Sequence, residues 1–451
     1  MLPHRSRFRS ARASSSASSA SSSKSHASSQ EAPLVARPGH SSGHHAPLPP
    51  IDEHFIPSLA AKATSAQQTQ LYVNWLMSAF PCYFKVTETR VSVNWVQYVS
   101  QRRVGIDTPF DWAIRSLTTN YIGNLYNDKR YSDAGHELYV RSLRGLSGLL
   151  NQVSAAKSDE ALATAIALAV FEMHTCTTAD GWMQHASGIR ALMQLRGPRA
   201  HLHGFGRALY IAYRNTLVTS ALVAGEKCLL EKPEWQELNQ EIAADNAKQP
   251  DSSVYTDITE RAFREVVKLP GYVKRLHDLS GATPNVQKQD RPALLHEVLA
   301  ARASLRGIHT EFSMTASTLR AGQEAQAGFI GPMPYHFFEG FASLSIHGIR
   351  SGVLLLNYLI ILLDPFQRPA AEAENRLITD RMRTTEVSQS HASSHIAPSP
   401  LTPPGSPGRS RLMIESRIGP DTREPMTTDW MDRIATTMGL EGVRVRLVDD
   451  G

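Results

Sequence analysis

Apolar residues along most of this chain recur every three or four positions, the spacing that gathers side chains onto one face of a helix. The pattern begins near Ser65, where Leu71, Trp75, Leu76 and Phe80 form a stripe that Pro81 ends. Phe110 to Ile114 open a second helix, with Leu117, Tyr121 and Leu125 on its apolar side. A third runs from about Ser132 to Val153 and presents Leu138, Val140, Leu143, Leu146 and Leu149-Leu150. After Gly206, Leu209, Tyr213, Leu217 and Leu222 continue the style. Residues 290–325 read as a long amphipathic helix or pair carrying Leu294, Leu295, Val298, Leu305, Ile308 and Phe312. Hardly any run alternates as a strand would over more than four or five residues, so the fold class is all-α, a multi-helix body.

The stretch 158–198 is the most sharply punctuated. Ser158 is placed to cap a helix whose first turn carries Asp159 and Glu160, acids at the positive end of the helix dipole. From Ala161 to Met173 the residues are apolar on nearly every face, which predicts burial all round. Thr177 or Thr178 is expected to restart the chain, and Trp182, His185, Ile189 and Leu192 then share one stripe. Gly197 and Pro198 stop that helix.

A very apolar helix follows the Gly331-Pro332 break and ends at Leu363. Its core GVLLLNYLIILL invites a membrane reading, but only thirteen residues, Asn357 among them, separate Arg350 from Asp364. A crossing needs about twenty, so a central core helix is expected and no membrane partner.

Composition divides the chain. Residues 1–64 read as a disordered Ser/Arg-rich tail, 65–386 as the helical domain, 387–418 as a disordered Ser/Pro-rich linker and 419–451 as a short C-terminal segment. Six basic residues and one acid in the first fifty account for the whole net charge of +5, leaving the body neutral and without a phosphate-tracking surface. Within the tail RSRFRSAR fits a nuclear import patch, an inert linker or the start of a mitochondrial transit peptide. Ser399, Thr402 and Ser406 each precede a proline near Arg409 and Arg411, which makes them candidate phosphorylation sites. Trp430, Ile434 and Met438 form an amphipathic piece suited to docking on the body or on a partner.

The central residues carry a resemblance to a known family. Asp159-Glu160 opening an Ala/Leu helix, then Gly181-Trp182, His185, Gly188, Leu192, Arg196-Gly197-Pro198, His203-Gly204, Gly206, Arg214 and Pro233-Glu234-Trp235 resemble the helical regulatory domain of fungal-specific transcription factors. The looser pattern over about 70–365 would be the rest of that domain. The resemblance implies a nuclear regulator of metabolic genes, secondary-metabolite clusters included, with cytoplasm and then mitochondrion as the runner-up locations. Members that read DNA carry six closely spaced cysteines near the N-terminus. Here the three cysteines are Cys82, Cys176 and Cys228, too few and too scattered for a binuclear zinc cluster. The expectation is therefore action through other transcription regulators, as a homo- or hetero-oligomer, or through a small apolar effector, without direct DNA contact.

Candidate chemistry is sparse. His174, Cys176, His185, His201 and His203 cluster in sequence, but no HxxxH, HExxH or CxxC spacing joins them, and Ala300 stands where His296-Glu297 would need a second histidine. Ser147 lacks the GxSxG spacing of a nucleophile elbow, and His203-Gly204-Phe205-Gly206 lacks a third glycine and a preceding strand. No catalytic residue, cofactor or metal is expected, and the chain reads as a non-enzyme. Trp182, His185 and Arg196 remain as candidate effector or packing residues; Arg196 suits the negative end of its helix. The alternatives are an α-helical biosynthetic enzyme and a scaffold that pairs with full-length regulators.

Overall fold

A computed structural model describes residues 56–88, 90–102, 107–248, 254–324, 334–389, 410–419 and 429–449. The expected import patch and the candidate phosphorylation sites Ser399, Thr402 and Ser406 lie outside the described residues. Helices dominate: α1 (Ile56–Ala79), α2 (Tyr83–Glu88), α3 (Trp95–Ser100), α4 (Pro109–Tyr126), α5 (Lys129–Leu150), α6 (Val153–Ala156), α7 (Asp159–Thr175) and α8 (Gly181–Arg196). There follow α9 (Gly204–Ala224), α10 (Pro233–Asn246), α11 (Val254–Val266), α12 (Leu269–Ser280), α13 (Pro284–Glu324), α14 (Pro334–Leu363) and α15 (Arg368–Gln389). The chain closes with β1 (Ser410–Ser416), α16 (Trp430–Thr436) and β2 (Val443–Asp449). The all-α class holds, with one small two-stranded ribbon added.

Helix α7 is the axis of the first half. Every residue from Ala161 to Met173 is buried, because α4, α5, α8 and α9 surround it. Ser158 caps it as its sequence implies, its hydroxyl accepting from the Ala161 N–H at 3.1 Å. The restart differs from expectation. Thr177 and Thr178 do not begin α8; the Thr177 hydroxyl and the Thr178 N–H both bind the buried Glu172 carboxylate, and the helix starts at Gly181. Glycine at 181 leaves room for this carboxylate, since a Cβ there would crowd the Glu172 carboxylate and the Thr178 hydroxyl and push them aside. At the other end of α8, Gly197 takes φ +76 and Pro198 opens a short turn, the stop the sequence predicts.

Helices α4 and α5 pack side by side, and the left-handed Asn127 makes the turn between them. Not all of their expected apolar side chains face inward: Leu125 is 60% exposed, and Val140 and Leu150 also stand in solvent. In the second half α13 and α14 pack together, flanked by α11, α12 and α15. The apolar stretch of α14 runs over the 24 residues Gly340–Leu363, longer than the thirteen-residue core, so length alone does not exclude a membrane span. Its packing does the sorting. Asn357 is fully buried in the middle, accepting from Arg302 at 3.0 Å and donating to Glu374 and Asn375 at 3.0 and 2.9 Å. Those partners sit on α13 and α15, and Arg291 of α13 donates to the carbonyls of Leu362 and Leu363 that α14 leaves open at its C-terminus.

The expected segment boundaries shift. Helix α1 begins at Ile56, ahead of Ser65, and α15 continues to Gln389. Ser410–Ser416, inside the expected linker, pairs antiparallel with Val443–Asp449 from Ser410↔Asp449 to Ser416↔Val443. The signal was present: Val443, Val445 and Leu447 alternate with Arg444 and Arg446, whose side chains face solvent. The ribbon packs on α9 and α14, and α16 docks across α1, α2, α9 and α14. The amphipathic C-terminal piece thus docks on its own body, with Trp430, Ile434 and Met438 all buried.

Candidate functional site

Helices that bury one face each leave gaps where their ridges do not interlock, and here one such gap is a cavity of about 80 Å³ between α1, α2, α3, α4, α7, α9 and α16. Ile166 and Val170 of α7 form one wall and Ile211 and Tyr213 of α9 another. Trp75 and Trp95 bring indoles from α1 and α3, and Met431, Ile434 and Ala435 of α16 close the remaining side. Exposed Glu88 and half-buried Asn94 also line it, and the Asn94 side-chain amide donates to the Glu88 carboxylate at 3.0 Å. Among the described residues lining the cavity, Glu88 carries the only charge.

Most polar groups at its edge are satisfied within the protein. The Tyr83 hydroxyl donates to the Ile211 carbonyl at 2.7 Å and accepts from Asn215 at 2.9 Å. Two are not: the Trp95 indole nitrogen and the Tyr213 hydroxyl are buried with no hydrogen-bond partner among the described residues. Tyr213 is 2% and Trp95 8% exposed. An unpaired buried polar group costs about 1–3 kcal/mol, and both of these atoms are closed off from the cavity space as well as from bulk solvent.

The closing helix is tied on by a carboxylate. Asp432 of α16 accepts from the backbone N–H groups of Cys82 at 3.2 Å and Tyr83 at 2.7 Å, the open donors at the start of α2. Burial pushes its carboxyl from 3.8 up to about 6, against the pull of those two hydrogen bonds. Below it, the Thr219 hydroxyl donates to the Gly439 carbonyl at 2.6 Å. A raised folded-state value means that the native chain holds the proton more tightly than the unfolded one. Between pH 7 and pH 5 this group alone therefore adds about 1 kcal/mol of stability on acidification. Buried His201 and half-buried His174 and His309, whose values desolvation lowers to about 4, oppose it because they take up protons more readily on unfolding. The comparison that isolates Asp432 is wild type against Asp432→Asn in urea melts. The wild type should gain about 1 kcal/mol relative to the variant from pH 7 to pH 5, and a constant difference would refute the assignment.

Beside the cavity lies a buried ionic cluster. Glu260 of α11 pairs with Arg214 of α9, Nη1 to Oε2 at 2.7 Å, and with Arg90 at 2.9 Å, all three buried. Burial would raise the Glu260 carboxyl, but the guanidiniums of Arg214 and Arg90 hold it at about 2. Arg214 also lies over the Phe263 ring at 4.4 Å. Every contact here is internal, and the cluster joins α9 to α11.

None of the three residues singled out in the sequence lines the cavity. Trp182 is a buried core residue of α8. His185 bonds to the Tyr139 hydroxyl at 2.8 Å. Arg196 reaches from the end of α8 to the Lys157 carbonyl at 2.8 Å and the Asp159 carboxylate at 2.5 Å, locking the start of α7. Two residues of the resemblance are thus each other's partners. The cavity went unseen because its residues come from seven helices spread from residue 72 to 435, although Trp75, Leu76, Phe80, Leu117, Tyr213 and Ile434 each stood in an apolar stripe read from the sequence.

A protein of Emericella nidulans described as uncharacterized protein AN5342 is 52% identical over 405 residues, which cover 89% of this chain and 86% of that protein. No protein-family model matches the sequence, and no solved structure matches it.

Proposed function

The chain belongs to the family of that Emericella nidulans protein, and from this footing we propose that it is a regulator of fungal metabolic genes that works by binding rather than by catalysis. The observation that carries the reading is the cavity: a carbon-walled space at the meeting of seven helices, closed by a helix from the far end of the chain. Helical bundles hold small ligands in such places. Its lining holds no facing pair of acid and base and no cluster of metal-ligating side chains, so its chemistry suits holding an apolar molecule. The residues resembling the regulatory domain of fungal transcription factors, Asp159, Trp182, Arg196 and Arg214, build the walls' supports rather than the walls. A body with balanced charge favours contact with other proteins over contact with nucleic acid. Promoter contact then falls to a partner regulator, and the site of action is the nucleus.

The test is deletion of the gene in its fungus, with transcript profiling and localisation of a tagged chain. The reading expects a coherent metabolic gene set to change and the tagged chain to accumulate in the nucleus with other regulators. Unchanged transcripts, with build-up of one metabolic intermediate, would instead mark a biosynthetic enzyme.

A further inference from the structure

Three helices of the second half meet in register. Asn357 of α14 faces Arg302 of α13 and Glu374 of α15. Two turns along, seven residues in each case, the same faces carry Arg350, His309 and Arg381. The first layer has an acid: the Glu374 carboxylate takes Arg306 at 3.1 Å and Arg302 at 3.9 Å. The second layer has none. Arg350 is half-buried, and its one hydrogen bond among the described residues runs from Nε to the Nε2 of His309 at 3.2 Å. Its two terminal nitrogens remain open to solvent, and no described carboxylate pairs with them. The histidine does not share the charge. Burial and the guanidiniums of Arg350 and Arg381 lower its value to about 4, so it stays neutral and accepts. Burial and Arg381 lower the Arg350 guanidinium as well. Other half-buried arginines hold acids: Arg102 has Asp111 at 2.7 Å and Glu160 at 3.0 Å, and Arg275 has Glu297 at 2.6 Å. A partly desolvated cation beside a second cation, with two nitrogens to spare, is the setting that takes up an anion.

The chain itself supplies an occupant. Arg368, which opens α15, donates to the Ser410 hydroxyl at 2.7 Å. The twenty residues between Gln389 and Ser410 therefore leave one end of α15 and come back to the other. That helix is about 33 Å long, and twenty residues extend to roughly 70 Å. They include no aspartate or glutamate, so unmodified they have no side-chain anion to offer. Ser399 and Thr402, each followed by proline, change this when phosphorylated. The hydroxyl oxygen takes the terminal phosphoryl group of a nucleoside triphosphate, the diphosphate and a proton leave, and the residue gains nearly two negative charges. Ser399 and Thr402 lie ten and thirteen residues after Gln389, and eleven and eight before Ser410. Arg381 is about 12 Å from the end of α15 and about 20 Å from its start, so both tethers reach it with slack. Ser406, four residues from Ser410 and three from Arg409, has a short tether and a nearer cation.

We propose that the face where α13, α14 and α15 meet at Arg350 receives a phosphoryl group carried by Ser399 or Thr402 of this same chain, its oxygens accepting from the two open nitrogens of Arg350. The site is separate from the cavity, and the proposal goes beyond the regulatory reading without depending on it.

Phosphoserine is encoded in the full chain at position 399 or, in place of Thr402, at position 402, and phosphorus-31 spectra are followed against pH. A solvated phosphoserine loses its second proton near about 6. Docked on Arg350 the dianion is favoured, and the midpoint is expected to fall by about one unit, a tenfold preference. Arg350→Gln should return it to about 6. In the unmodified chain the same substitution should leave stability equal to wild type or higher, because it removes a half-buried cation that no acid balances. Phosphoserine at Ser390, one residue past α15, has no tether with which to fold back and should titrate as a solvated one does. Unshifted midpoints at both 399 and 402, an equal fall in the Arg350→Gln chain, or an equal fall at Ser390 would overturn the proposal. So would an unmodified Arg350→Gln chain that is markedly less stable than wild type. Saturable binding of inorganic phosphate to the unmodified chain, with the tethered phosphates unshifted, would overturn the occupant and assign the site to a free phosphoester.

Discussion

Glu260→Gln is expected to cost the fold about 3–5 kcal/mol, among the largest losses any single polar substitution should cause here. The carboxylate neutralises two guanidiniums, and all three side chains are buried: Arg214 and Glu260 at 3% and 5% side-chain exposure, Arg90 at 8%. An amide of the same shape keeps one acceptor but leaves two positive charges in a poor solvent with nothing to balance them. The loss should appear as a lower urea midpoint with an unchanged slope at pH 7. The pH dependence has a definite sign. Because the folded-state value is depressed to about 2, the stability that Glu260 contributes is fully present above about 4.5 and is lost as pH falls from there towards 2. Wild type and variant should therefore converge in strong acid. A variant within about 1 kcal/mol of wild type at pH 7 would mean that the cluster is solvated and only loosely paired.

Gly439→Ala is expected to release the C-terminal strap without unfolding the body. Gly439 sits at φ +89, where a side chain costs about 1–2 kcal/mol. A Cβ there would also meet the Asn215 carbonyl oxygen at 2.2 Å, and that oxygen belongs to the backbone of α9, which cannot yield. The strap must yield instead. A local cost of at least about 2 kcal/mol would raise the open fraction of residues 430–449 roughly thirtyfold or more. Hydrogen exchange and limited proteolysis should localise the change to α16 and β2, while α7 and α9 keep their protection. Met431, Ile434 and Ala435 would leave the cavity with them, so its apolar wall should open to solvent in parallel. Uniform loss of protection across the chain would show that strap and body unfold as one unit.

Much of the scaffold was legible because it obeys local rules. The all-face apolar run of α7, its Ser158 cap and its acidic first turn describe a buried helix before any coordinates are known. Gly197 announced the end of α8 through its need for a positive φ. The amphipathic stripe of Trp430, Ile434 and Met438 announced a docking helix, though not on what it docks. Other features are set by long-range partners and leave no local trace. Thr177 and Thr178 look like caps, yet the buried Glu172 carboxylate of the preceding helix claims them first. Leu125 fits an apolar stripe, but it falls in the last turn of α4, where no neighbouring element covers it, and stays in solvent. Arg90, Arg214 and Glu260 meet across 46 and 170 residues, so no motif window could join them. The cavity is less legible still. It is defined by what its walls fail to fill.

The Asp432 clasp has a consequence for how the chain is made. Cys82 and Asp432 are 350 residues apart, so at about 5–20 residues per second the start of α2 leaves the ribosome roughly 20–70 s before its acceptor. As each is made, and until α16 and the ribbon follow, the aliphatic and aromatic wall beneath α16 faces water, along with the sites on α9 and α14 that the ribbon later covers. Nascent chains halted before residue 430 should accordingly be sticky, chaperone-bound species, and a premature stop in the coding sequence should yield aggregate rather than a smaller working protein.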